Sequence, residues 1–252
     1  MRGDFEAYLN DEFRDENGHL DLDGLLALED EAEMDVAVIM PNTQPNPPNA
    51  ELGAAIRGNP RALGCALVHP TEPEPVEQVR LAAEEWGMRG IKLMPAVHNY
   101  DVDDEIVRPV VEAARARGLI VSIHSGPNNC HPHRIGTVAG WVPGTPVIMD
   151  HMGFPDDLDA AIEVAKVHKN VSLGTTILRF HRRWGTNPDT VVPVEVKKAV
   201  DVLGAERIVF GSNLPEYRPT QVINALKRLE LGDDAEALIF GGNLARIYGL
   251  EA

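Results

Sequence analysis

Leu119-Ile-Val-Ser-Ile123 follows the amphipathic stretch 103–117 and runs straight into His124. A short run of apolar and β-branched residues placed after a helix-length segment reads as a strand buried on both faces of a parallel sheet. The same unit repeats outward in both directions. Before it come Gly90-Ile-Lys-Leu93, Ala62-Leu-Gly-Cys-Ala-Leu-Val68 and Asp35-Val-Ala-Val-Ile-Met40. After it come Pro146-Val-Ile-Met149, Val171-Ser-Leu-Gly174 and Ile208-Val-Phe-Gly211. Helical periodicity over 74–86, 103–117, 156–168 and 194–203 joins these runs, with apolar residues recurring at three and four. Gly118 and Gly204 stop two of the helices, and Asp103 and Asp156 place acid near positive amino ends.

Strand and helix in strict alternation predict an α/β chain, a (β/α)8 barrel. Only seven strands can be counted. Residues 1–20 read as an irregular or helical segment, and 21–33 reads as the helix that should follow strand one. The expectation is therefore a barrel domain over 21–252 that lacks its first strand in this chain. Pro41-Asn-Thr-Gln-Pro-Asn-Pro-Pro48 and Ser125-Gly-Pro-Asn-Asn129 mark loops after strands.

At 252 residues with 44% apolar content, one barrel domain with a full core is the natural size. A formal charge of -16 would repel phosphate backbones and anionic membranes, so neither nucleic acid nor membrane is expected as a partner. No apolar run reaches membrane-spanning length and nothing near Met1 reads as a signal sequence. Two cysteines, Cys65 and Cys130, are too few for a disulfide framework, so a cytoplasmic location is expected.

Barrel chemistry sits at the carboxyl ends of strands. There the sequence offers Asn42, His69, Lys92, His124, Asp150 with His151, Thr175 and Thr176, and Ser212 with Asn213. Imidazoles on separate strand ends suit zinc, manganese or iron, although a catalytic metal needs three or more ligands, and a strand-end histidine is as often a packing residue. His98, Arg179, His181, Glu216 and Tyr217 follow strands in loops. Of these, Arg179 could grip a carboxylate with two parallel hydrogen bonds.

Ser122-Ile-His-Ser-Gly126, Met149-Asp-His-Met-Gly153, Phe210-Gly-Ser-Asn-Leu-Pro215 and Ile239-Phe-Gly-Gly-Asn-Leu-Ala-Arg246 resemble, in order and spacing, the amidohydrolase-related family of metal-dependent hydrolases and aminocarboxymuconate-semialdehyde-decarboxylase-like barrels. The resemblance implies His124 as a metal ligand on strand five and His151 as a second ligand or the base toward an attacking water. Lys92, on strand four, corresponds either to a carboxylated, metal-bridging lysine or, the use favoured here, to a structural or substrate-binding one; Arg179 and His98, from their loops after strands, are further candidate substrate contacts. It implies hydrolysis of a small carboxylated substrate by water activated on zinc or manganese. The alternatives are non-oxidative decarboxylation, or a metal-free or catalytically silent binding relative. Homodimers are common among such barrels. Two departures stand out. No His-x-His pair precedes residue 21, so no metal is expected if the amino terminus is native. Asn213 occupies the place of an aspartate after the last strand, where it can hydrogen-bond but cannot take a proton.

Overall fold

The computed structural model describes residues 1–41, 47–178, 187 and 189–251. It contains eight parallel strands in sequential order. They are β1 (Gly3–Leu9), β2 (Val36–Pro41), β3 (Ala62–Leu67), β4 (Gly90–Leu93), β5 (Ile120–Ile123), β6 (Val147–Met149), β7 (Val171–Gly174) and β8 (Ile208–Val209). Helices α1 (Leu22–Asp30), α2 (Asn49–Ile56), α3 (Pro75–Glu84), α4 (Pro95–His98), α5 (Arg108–Ala116), α6 (Pro132–Trp141), α7 (Leu158–Val167) and α8 (Val194–Leu203) fall between strands. After β8 come α9 (Pro219–Lys227), α10 (Asp233–Ala237) and α11 (Asn243–Tyr248). The barrel reading stands.

The first strand, expected to be missing, is present. β1 pairs in parallel with β2 from Gly3 opposite Val36 to Leu9 opposite Pro41. On its other side Phe5 N donates to Phe210 O at 3.0 Å, Asn213 N to Glu6 O at 2.9 Å and Tyr8 N to Leu214 O at 2.8 Å. These bonds seam β1 to the β8 end, so both of its edges are paired and the barrel closes.

Two features hide this strand from a reading by pattern. Gly-Asp-Phe-Glu-Ala-Tyr-Leu carries two acids where a buried strand is expected to be apolar. A bulge between Asp4 and Ala7 also shifts the register by one residue and breaks the period-two alternation. Phe5 therefore joins the barrel interior with Val36, Val38, Cys65, Ile120, Ile148 and Val209. Ala7 and Leu9 instead face the helical layer beside Leu22, Leu25 and Leu52. Leu25 and Leu52 are fully buried there, each stabilising the fold by about 2 kcal/mol through apolar burial.

Leu244 and Tyr248 of α11 pack into the same interior cluster as Phe5. Gly3 permits this approach, since a Cβ there would collide with Leu244. Asp21 caps α1 by accepting from Gly24 N at 2.9 Å. Among the described residues no helix is long and apolar enough to cross a membrane.

Candidate active site

At the carboxyl end of the barrel, Glu6, Tyr8, Asn10, Met94, His124, His151, Ile177 and Asn213 line a cleft of about 230 Å³. β1 supplies Glu6 and Tyr8 at alternate positions because the bulge has already turned the strand. That is the spacing the resemblance assigns to a His-x-His pair, here filled by a carboxylate and a phenol.

Beneath the cleft lies a charged floor. Lys92, only 1% exposed, extends from β4 so that Nζ donates to Glu6 Oε1 at 2.8 Å and to Asp150 Oδ2. Tyr8 donates its hydroxyl to Glu6 Oε1 at 2.6 Å, and Ser122 Oγ donates to Asp150 Oδ1 at 2.9 Å. Glu6 Oε2 is buried and has no hydrogen-bond donor among the described residues. Burial pushes the Glu6 carboxyl upward, but the charges of Lys92 and His151 and the bonds from Lys92 and Tyr8 outweigh it, leaving about 2. For Asp150, burial and the Glu6 charge prevail over Lys92 and Ser122 and raise it to about 8. Burial opposes charge on Lys92 too, yet its two carboxylate partners hold its pKa above the ordinary lysine value. One ammonium thus keeps Glu6 ionised but does not offset the burial of Asp150.

Above the floor, His151 Nε2 and His124 Nδ1 share a hydrogen bond of 2.9 Å. His151 Nδ1 lies 2.7 Å from Thr176 Oγ1 and 3.2 Å from Thr176 O; a proton on this nitrogen serves both oxygens, and the carbonyl contact requires it because a carbonyl only accepts. With both rings neutral, His151 Nε2 accepts from His124 Nδ1, and His124 Nε2 is left with a lone pair. Burial, followed by the neighbouring His151 and Lys92, depresses the His124 pKa well below that of an ordinary imidazole. A neutral, oriented base at the cleft results.

The backbone is bent to aim these groups. His151 has φ 58°, Ile177 φ 61° and Asn213 φ 65°, a left-handed region that costs non-glycine residues about 1 to 3 kcal/mol each. The β6 turn is tied down by Ser125 Oγ, which accepts from Gly153 N at 2.9 Å and donates to Asp150 O. Asn213 Nδ2 donates to Glu216 Oε2 at 2.9 Å, using one of its two amide hydrogens.

Ligand atoms of Glu6, Asp150 and His151 lie within 4.8 Å of one another, near enough to converge on a single ion, and mixed oxygen and nitrogen donors suit zinc or manganese. Two of the three, however, already grip the Lys92 ammonium. A divalent ion within about 4 Å of that charge would meet a repulsion of about 8 kcal/mol at an effective dielectric of about 20. With Lys92 charged, this donor set does not fit a metal. Its contacts with the two carboxyls equally oppose a carboxylated lysine, which would set a further negative charge against the Glu6 carboxylate.

Of the residues singled out from sequence, His124, His151 and Asn213 meet at the cleft, and Lys92 lies under it. His98, in α4, is not among the cleft-lining residues; its ring stacks on His69 with centroids 4.0 Å apart. Arg179, His181 and Asn42 lie outside the described residues. Sequence reasoning missed Glu6 and Tyr8 because it did not recognise their strand. Asp150 is visible in the sequence beside His151, but its pairing with Lys92 is not.

The sequence model described as amidohydrolase matches residues 9–250. A 2-amino-3-carboxymuconate-6-semialdehyde decarboxylase from Dictyostelium discoideum is 22% identical over 238 residues, which cover 81% of this chain and 66% of that protein, a little under two thirds of its length. Among solved structures, an uncharacterised TIM-barrel protein from Bordetella bronchiseptica superposes with a TM-score of 0.78 at 19% identity, over 98% of both chains. A probable 2-pyrone-4,6-dicarboxylic acid hydrolase from Acinetobacter baumannii, with citric acid bound, does so with a TM-score of 0.74 at 17% identity, over 99% of both chains. With the family model spanning nearly the whole barrel, this chain belongs to the amidohydrolase family.

Proposed function

We propose that the chain is a hydrolase of small carboxylated esters or lactones, with His124 and His151 moving the proton. The observation that carries this reading is the 2.9 Å bond between the two imidazoles at the cleft, anchored on Thr176 O. His124 Nε2 takes a proton from water as the oxygen attacks the substrate carbonyl. His151 accepts from His124 Nδ1 and steadies the imidazolium that forms. Asn213 has an amide hydrogen beyond the one given to Glu216, and it donates this to the carbonyl oxygen as negative charge develops. His124 then returns its proton to the leaving alkoxide.

A cleft of about 230 Å³ suits a substrate of about one ring. The decarboxylase and the pyrone-dicarboxylic acid hydrolase are both named for carboxylated compounds, which supports a carboxylated substrate here. Arg179, in the segment after β7, is the proposed carboxylate partner, with Arg179→Lys expected to raise KM. The name of the curated relative favours a second reading, loss of carbon dioxide, in which His124 delivers the proton to carbon.

A panel of carboxylated lactones, esters and aromatic acids, assayed for both acid release and carbon dioxide release, separates the two. Acid release by the wild-type chain that is lost in His124→Asn supports the hydrolase. Carbon dioxide release alone replaces it with the second reading, and turnover unchanged in His124→Asn contradicts both.

A further inference from the structure

We propose that the Lys92 ammonium is the resident cation of the cleft floor, standing where Glu6, Asp150 and His151 would otherwise close around a divalent metal. The three donor groups lie within 4.8 Å of one another, so the polypeptide has drawn together a set able to hold an ion. The lysine fills it: Nζ lies 2.8 Å from Glu6 Oε1 and contacts Asp150 Oδ2, and all three side chains are at most 1% exposed. Neighbouring groups fix the two carboxyls in this orientation. Tyr8 donates to the same Glu6 oxygen that receives Lys92, and Ser122 donates to the Asp150 oxygen that Lys92 leaves open. Lys92 itself is held in register between Leu67 of β3 and Ser122 of β5. A charge fixed by the backbone cannot be removed by dilution or chelation.

This substitution has a chemical consequence. An ammonium supplies positive charge and three donor hydrogens, but it has no empty orbital with which to coordinate water. Proton removal from water must then fall to a side chain, and the imidazole pair stands ready for it. The inference concerns the cation alone and holds whichever reaction the cleft runs.

The test titrates manganese and zinc, each alone, into the full chain after dialysis against chelator, by calorimetry and by metal content after gel filtration. Wild type is expected to bind neither ion at this site. Lys92→Met is expected to bind one equivalent at least about 100-fold more tightly, because the like charge beside the ion is gone. Adding Glu6→Gln to that variant should abolish the gain, which separates this site from zinc held by surface histidines. An equivalent bound by wild type and lost in Glu6→Gln overturns the proposal, as does a folded Lys92→Met chain that gains no metal. If Lys92→Met is recovered only on refolding with one of the two ions, the proposal stands. If neither ion rescues it, the proposal fails.

Discussion

The floor and the rim of the cleft are both polar and largely withdrawn from water, but they differ in what their hydrogen bonds leave free. On the floor, Lys92 is spent on Glu6 and Asp150, and Tyr8 and Ser122 take up further lone pairs. At the rim, the His124–His151 bond and the Thr176 anchor leave one imidazole nitrogen open to the cleft. A closed charge cluster fixes geometry and charge balance, whereas an open pair can exchange a proton with substrate. The two regions should therefore separate under mutation, the rim through rate and the floor through stability.

The largest expected effect is at the rim. His124→Asn should lower kcat by about 100- to 10,000-fold, the range for a lost general base. Its urea midpoint should stay near that of wild type, and a large fall there would give the rim a structural role. The floor should respond the other way. Lys92→Met leaves two buried carboxyls without their cation and should cost about 3 to 5 kcal/mol of unfolding free energy when no metal is present.

The acidity of the floor groups gives the next test. Glu6, lowered from 4.5 to about 2, contributes stability that is present above pH 4.5 and lost as pH falls toward about 2. Asp150, raised from 3.8 to about 8, works oppositely: its contribution is full below pH 3.8 and lost as pH rises through about 8. Asp150→Asn should flatten the decline in stability on the alkaline side, measured by urea unfolding across that window. An unchanged slope would show that Asp150 is ionised in the fold throughout. At the rim, the acid limb of kcat/KM should lie well below pH 6.5, because activity requires neutral His124.

Much of the barrel was legible because β2 to β8 are apolar runs buried on both sides, and composition alone reveals such runs. β1 was not. Its role needs Asp4 and Glu6 inside the protein, and those acids are tolerable only because partners remote in sequence meet them. Ser212 donates its backbone N–H to Asp4 at 2.8 Å and its hydroxyl as well, and Lys92 serves Glu6 across 86 positions. No local pattern announces such pairings. His124 and His151 were legible from their place directly after strands, while the meeting of Lys92 with Glu6 and Asp150 depended on barrel closure.

The smallest expected effect refines the rim. Thr176 Oγ1 lies 2.7 Å from His151 Nδ1, but the Thr176 carbonyl also anchors that nitrogen. Thr176→Val keeps the carbonyl and should reduce kcat by no more than about tenfold, equivalent to about 1.4 kcal/mol, within the range for one hydrogen bond. A loss as large as that of His124→Asn would make the hydroxyl the true anchor.

The division between a floor with its own cation and a rim that moves the proton is tested most directly by turnover of the full chain after exhaustive chelation. On the best substrate from the panel, kcat/KM is expected to equal that of untreated protein and to be unchanged by added zinc or manganese. Activity that disappears with the chelator and returns with either ion would contradict the account.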